Sequence, residues 1–235
     1  MNIAVMSDIH GFSLALDRVI ADISIVPGIE RIIVAGDLCE TGPDPKGVLD
    51  RLEAIGAECI QGNTDRDLAA DSRSSASFRY TLDQIGAKGF DYLADLPFEI
   101  RIPPPGGTAP DDDLLVVHAN PFDQDRKIAP DATDVEVREL IGDTRAAVIA
   151  FGHIHIAYIR RVAPWLLVDV SAVGNPKDGD LRSKWGLFSW DKSAHEWHAE
   201  LRHVAYPLEE TIAQVQASDV PNPVKLIERL KRASY

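Results

Sequence analysis

Ile3-Ala4-Val5-Met6-Ser7-Asp8-Ile9-His10 is a short apolar run that stops on an acid and an imidazole. Four apolar residues between polar ones fit a buried strand. The stretch that follows, near Phe12 to Ile23, places Leu14, Leu16, Val19, Ile20 and Ile23 on roughly one side, the period of an amphipathic helix. Strand, polar stop and helix is the unit from which layered α/β domains are built. The same arrangement recurs outward along the chain. Ile32 to Ala35 ends on Gly36-Asp37, Glu58 to Ile60 leads to Gly62-Asn63, Leu114 to Val117 ends on His118, and Val148 to Phe151 ends on Gly152-His153-Ile154-His155. In open α/β sheets ligands bind outside the carboxyl ends of the strands, so these distant segments are expected to converge at one sheet edge.

Composition bounds what such a site can serve. The chain has 235 residues, 45% of them hydrophobic, and we expect one domain over 1–235 with a substantial core. The segment from about 206 to 235 reads as closing helices at Leu208 to Val215 and Val224 to Lys231, packing on that domain. A formal charge of −13 disfavours nucleic acid as a partner, because nonspecific affinity for it comes from Lys and Arg neutralising phosphates. Cys39 and Cys59 form no CxxC pair, which points away from a disulfide framework and toward a reducing compartment. The first residues carry no basic region and reach Asp8 early, unlike a secretory signal, and no stretch is apolar enough to span a bilayer. The expected location is cytoplasmic, with no membrane partner.

The remaining elements are read from period and punctuation. Pro45 to Ile55 fits a helix with Pro at its start and Gly56 beyond its end. Residues 67–96 read as helical with breaks at Gly86 and Gly89. Phe98 to Ile102, Ile156 to Val162, Trp165 to Val170, Trp185 to Trp190 and Glu196 to Val204 read as strands, and the Pro103 to Asp113 segment as an exposed loop.

Each polar stop taken alone has an ordinary reading as a turn or a helix cap. His153 and His155 carry more weight, because i and i+2 on an extended segment put both rings on one face. Together the segments offer two carboxylates, four imidazoles and one amide oxygen, the donor set of hard and borderline divalent cations. The inventory suits two ions sharing one carboxylate.

The ordered set Asp8-x-His10, Gly36-Asp37, Gly62-Asn63, His118 and Gly152-His153-x-His155 resembles the calcineurin-like metallophosphoesterase superfamily, in its compact bacterial and archaeal branch. Ser171 to Asp180 is similar to a loop of that branch that closes the site, with Asn175 and Lys177 where Gln and Arg are usual. The resemblance implies a four-layer α/β/β/α sandwich of two mixed sheets flanked by helices. It also implies two divalent metal ions, Mn or Fe/Zn rather than Mg, with Asp8, His10, Asp37 and His155 around one and Asp37, Asn63, His118 and His153 around the other. Asp37 would bridge them, and Asp37, Asn63 and His118 would be the catalytic residues.

The implied reaction is hydrolysis of a phosphomonoester or phosphodiester of a small molecule or nucleotide, by in-line attack of a metal-bridging hydroxide. A dinucleotide polyphosphate hydrolase is an alternative, and a non-catalytic binding scaffold of the same fold is another. Asn63, Arg66 and Lys177 are the candidates for gripping substrate oxygens. The departure from the family pattern is Thr64, where a His that steadies the leaving oxygen is usual, and Thr is no acid near neutral pH. Asp65, which would orient that His, is expected to cap the following helix instead. His195, His198 and His203 read as surface or packing residues.

Overall fold

The computed structural model describes residues 1–70 and 75–234. Strands β1 (Asn2–Met6), β2 (Ile29–Val34) and β3 (Glu58–Cys59) are joined by helices α1 (Ser13–Ser24) and α2 (Pro45–Ala54). They run parallel, as strand–helix–strand crossovers require. Strands β9 (Ser183–Asp191) and β10 (Glu196–Val204) form an antiparallel ribbon that joins the free side of β1, giving the order β10-β9-β1-β2-β3. A second sheet, in the order β4-β5-β6-β8-β7, contains β4 (Ile100–Ile102), β5 (Leu114–Val116), β6 (Val148–Phe151), β7 (Tyr158–Val162) and β8 (Trp165–Asp169). Its three central strands are parallel and its edges antiparallel, so both sheets are mixed.

The period of two along β1 explains the layers. Ile3 and Val5 face the second sheet and share a core with Val116, Val148, Ala150, Val168, Phe188 and Trp197. Ala4 and Met6 face the other way, into a core with Leu16, Val19, Leu52 and Phe78 from the helices. The outer face of the second sheet packs Leu115, Ile149 and Leu167 against Val137 and Ile141 of helix α5 (Asp134–Ile141). Helices α6 (Leu208–Ala217) and α7 (Pro223–Arg232) lie on the first sheet's helical side, where Val215, Leu226 and Leu230 are buried. The result is the expected α/β/β/α sandwich. No helix among the described residues is long and apolar enough to cross a membrane.

Two sequence readings need correction. Residues 67–96 are not one interrupted helix: α3 (Asn63–Ala69) and α4 (Ala76–Ala94) are separate helices, and 71–74 lie outside the described residues. Gly86, at φ 62° and ψ −171°, does kink α4. Gly89 stays helical and makes room for Ile85, whose Cβ lies 2.6 Å from where an added Cβ would sit. Helix α5 was not anticipated, although Thr133-x-x-Glu136 spells a reciprocal cap. Thr133 Oγ1 accepts from the Glu136 amide at 3.3 Å, and the Glu136 carboxylate accepts from the Thr133 amide at 2.7 Å.

Candidate metal centre

The site is built where strands end. Asp8 follows β1, Asp37 follows β2, His118 follows β5 and His153 follows β6, each after a residue or two of loop. These loops are stitched together by their own backbones. The Asp8 amide donates to Gly36 O at 3.0 Å, the His10 amide to Asp37 O at 3.0 Å, the Gly152 amide to His118 O at 3.0 Å and the Gly174 amide to Asp8 O at 3.0 Å.

Such tight crossing demands unusual conformations. Asp8, His10, Asp37, His153 and His155 all have left-handed backbones, with φ from 52° to 72°. A non-glycine residue held there costs on the order of 1–3 kcal/mol, and persists only when its surroundings fix it. Glycine is needed at Gly152, where a Cβ would overlap Asp8 Oδ2 and Ser7 Oγ, and at Gly62, where it would overlap Asp37 Oδ1. The Gly152–His155 segment is therefore not extended, as the i, i+2 argument assumed. His153 and His155 are aimed separately by two left-handed turns, one toward His118 and the other toward His10.

The side chains converge in two adjoining groups. In the first, His155 Nε2 lies 3.1 Å from Asp8 Oδ1 and 3.1 Å from His10 Nε2, which is itself 3.6 Å from Asp37 Oδ2. In the second, Asn63 Oδ1 lies 2.9 Å from His118 Nε2 and 3.1 Å from His153 Nδ1, while His118 Nε2 is 3.5 Å from Asp37 Oδ1. Asp37 sits between, one carboxylate oxygen toward each group. The seven residues that the resemblance singled out are thus brought together at one place.

The outward-facing ring nitrogens decide what the inward-facing ones can do. His10 Nδ1 faces Glu40 O at 2.9 Å, His118 Nδ1 faces Ala35 O at 2.8 Å, His155 Nδ1 faces Asn175 O, and His153 Nε2 faces Asp125 O at 3.0 Å. A carbonyl only accepts, so each of these nitrogens carries the proton, and the opposite nitrogen of a neutral ring presents a lone pair to the centre. With the rings neutral, as holding a cation would require, four lone pairs point at the carboxylates Asp8 and Asp37 and at the Asn63 amide oxygen. Asp8 Oδ1 is fully buried and accepts no hydrogen bond. Acceptors crowded this closely repel one another unless protons or cations lie among them, and imidazole backed by a carbonyl is the usual second support of a metal ligand. The donor set fits divalent cations.

Electrostatics follow from that crowding. Burial opposes charge on His10, but Asp8, Asp37 and Glu40 outweigh it and push the imidazole up to about 9. Burial also works against ionised Asp8, and its histidine neighbours overcome it, holding the carboxyl well below the usual range. Burial keeps His153 and His155 below the ordinary imidazole value. Asp65 caps α3 as expected and does more. Its carboxylate accepts from the amides of Gly62, Asp37 and Leu38 at 3.0, 2.7 and 3.0 Å, fastening the Asp37 loop to the Asn63 helix. Burial and the neighbouring Asp37 raise it to about 6.

A cleft of about 460 Å³ opens over the centre, lined by His10, Asp37, Asn63, Thr64, His153 and His155. Lys177 lines it too. Arg66 is not among the lining residues, and its guanidinium is engaged by Asp67 and Asp125, each at 2.8 Å. Asn175, in the loop the resemblance places over the site, lines the cleft, while sequence reading missed Glu40 and Arg229 in its wall. Glu40 and Asn175 support histidines through backbone carbonyls, which no residue code announces, and Arg229 arrives from α7, far from every motif. His195, His198 and His203 lie on the β9–β10 ribbon, away from the centre.

Comparison with known proteins agrees with this architecture. A metallophosphoesterase from Sphaerobacter thermophilus superposes with a TM-score of 0.79, covering 99% of this chain and 100% of its own at 21% identity. A hypothetical protein from Pyrococcus horikoshii OT3 gives 0.83 over 96% and 97% at 17% identity. At that identity the likeness is one of fold. The symmetrical bis(5'-nucleosyl)-tetraphosphatase of Acidovorax sp. (strain JS42) is 33% identical over 128 residues, 51% of this chain and 44% of that protein, so the match spans less than half of the relative's length. The family model of the calcineurin-like phosphoesterase superfamily domain matches residues 1–191, and the chain belongs to that superfamily.

Proposed function

We propose that this protein, working as one metallophosphoesterase domain over 1–235, hydrolyses a phosphomonoester or phosphodiester of a small molecule or nucleotide at two divalent cations. Asp8, His10, Asp37 and His155 would hold one, and Asp37, Asn63, His118 and His153 the other. The observation that carries the reading is the uniform backing of four imidazoles by backbone carbonyls, which leaves their inner nitrogens facing two carboxylates. Such ions supply Lewis acidity toward phosphoryl oxygens and bring the pKa of a coordinated water near 7. Nitrogen and oxygen donors in this mixture favour Mn, or Fe and Zn, over Mg.

The protein's own groups do the positioning. The Asp37 carboxylate is held by the Thr64 amide at 2.9 Å and, through its loop, by Asp65. Lys177 and the Asn63 amide face the cleft where phosphoryl oxygens would lie. Thr64 supplies no acid for a departing alkoxide, so esters with an already stable leaving oxygen are the better substrates. The tetraphosphatase relative makes a phosphoanhydride substrate the alternative within the same chemistry. The test is turnover of an aryl phosphodiester by the purified protein with Mn²⁺, with Asp37→Asn as blank and metal content from elemental analysis. Turnover that needs Mn²⁺ and Asp37 is expected; equal signals from both proteins would favour a binding scaffold.

A further inference from the structure

The family match ends at residue 191, yet the cleft does not. Its wall includes Arg229 and Ser234, contributed by α7 and the residues after it. Helix α7 is seated firmly. Leu226 and Leu230, one turn apart, are 4% exposed in the core beneath the first sheet. Beyond the helix end, Ala233 O accepts from the Gly179 amide at 2.9 Å, tying α7 to the 171–180 loop that carries Lys177. Tyr206, just before α6, donates its hydroxyl to Gly174 O in the same loop at 3.1 Å. Arg229, adjacent in sequence to buried Leu230, is thus held at the cleft mouth on a fixed helix. Arg229 is exposed, and no hydrogen bond or ion pair of its guanidinium is found among the described residues.

In a chain of charge −13, Lys177 and Arg229 both line the cleft over the phosphoryl site, and Arg229 brings to its mouth a solvent-exposed guanidinium that an anion can engage. Arginine suits a phosphoryl group, because its planar donors match two oxygens at once. We propose that Arg229, with Lys177, forms a second anionic subsite at the cleft mouth, so that the preferred substrates carry a phosphoryl group beyond the one attacked, as nucleoside polyphosphates do. This rests on the phosphoesterase reading of the centre and narrows its substrate class. The C-terminal helix then belongs to the substrate site rather than serving only to close the core.

Two non-hydrolysable probes test it by calorimetry, in a fixed excess of Mn²⁺: methylphosphonate, with one phosphoryl group, and methylenediphosphonate, with two. Wild type should bind the second more tightly, and Arg229→Gln should cut the ratio of the two affinities about tenfold, the scale of one charge-assisted contact. Arg229→Lys should recover part of that ratio, since charge without the fork is a weaker match. A thermal melt of each variant checks that the fold is intact. If both probes bind and the ratio is the same in Arg229→Gln as in wild type, the subsite is wrong while the phosphoesterase centre stands. If neither probe binds wild type, both readings fall.

Discussion

The chain's seven histidines divide into two populations that use one side chain in opposite ways. His10, His118, His153 and His155 sit on loops at strand ends, crowd against acceptors and turn their outer nitrogen to a backbone carbonyl. His195, His198 and His203 sit on the β9–β10 ribbon, are 31–59% exposed and each meets a carboxylate, Asp112, Glu196 and Asp180 respectively. A carbonyl fixes the proton on the outer nitrogen, so that a neutral ring has its lone pair on the inner one. The partner of the second nitrogen separates a candidate ligand from a solvated histidine more sharply than burial does.

That contrast is broken most directly by metal content and turnover. Replacing His118 or His155 with Ala should remove bound metal and lower turnover about a hundredfold or more, the scale of losing a main electrostatic contact in the transition state. The triple His195→Ala, His198→Ala, His203→Ala protein should keep both. Elemental analysis beside a rate assay decides, and metal loss in the ribbon triple would end the distinction.

Melting temperature gives the same contrast a smaller reading. A cation that binds only the folded chain, at about a hundred times its Kd, stabilises by about 2.7 kcal/mol, or about 5–10 °C for a chain of this size. Adding Mn²⁺ to chelator-treated wild type should produce that rise, and the ribbon triple should match it. His155→Ala should show little. Asp65→Asn probes the supporting layer. Three backbone amides point at its carboxylate, and one amide nitrogen in place of an oxygen would face a donor, so metal affinity should fall about 10–100-fold with the fold intact. An unchanged affinity would mean that the Asp37 loop holds itself.

How much of this could be read in advance depended on whether the signal lay in side chains or in backbone. Alternation of Ile3 and Val5 with Ala4 and Met6 announces a strand covered on both faces, and the apolar stops at Asp8, Asp37 and His118 mark the site edge. What could not be read was conformation. Nothing in Gly152-His153-Ile154-His155 distinguishes an extended pair from two left-handed turns, because the conformation is imposed by Asp8 and His118 packing from other elements. Arg66 looked available beside Asn63, but its partner Asp125 is 59 residues away. Helix α5 was legible and overlooked: its Thr-x-x-Glu cap lies in plain sequence, while its apolar face is short, Val137 and Ile141 with Leu140 beside them.

Asp169 offers a finer comparison with Asp8, since both carboxyls are fully buried and Asp8 has imidazoles beside it. Asp169 accepts from the Ser171 amide at 2.7 Å with one oxygen, while the other has no hydrogen-bond partner. Burial therefore raises its pKa well above the usual value. The sign follows: the folded chain keeps a proton that the unfolded chain releases above about pH 4, so this residue's contribution is full below that pH and is lost as pH rises toward the folded pKa. Asp169→Asn has no such dependence. Its melting temperature relative to wild type should climb between pH 4 and pH 8, and a gap that stays constant would mean the carboxyl is ionised in the fold.

The smallest effect belongs to the ribbon histidines taken singly. His198 meets Glu196 at 3.6 Å with both side chains more than half exposed, a geometry in which water screens the pair and side-chain ordering offsets most of the attraction. Its replacement by Ala should change stability by no more than about 0.5 kcal/mol. His195→Ala should cost slightly more, because that ring also packs edge-on against Trp190 at 4.9 Å between centroids. Chemical denaturation of both variants orders them. If His198 proved the costlier, the ribbon's polar face would be structural, and exposure would be a poor guide to which histidines this fold can spare.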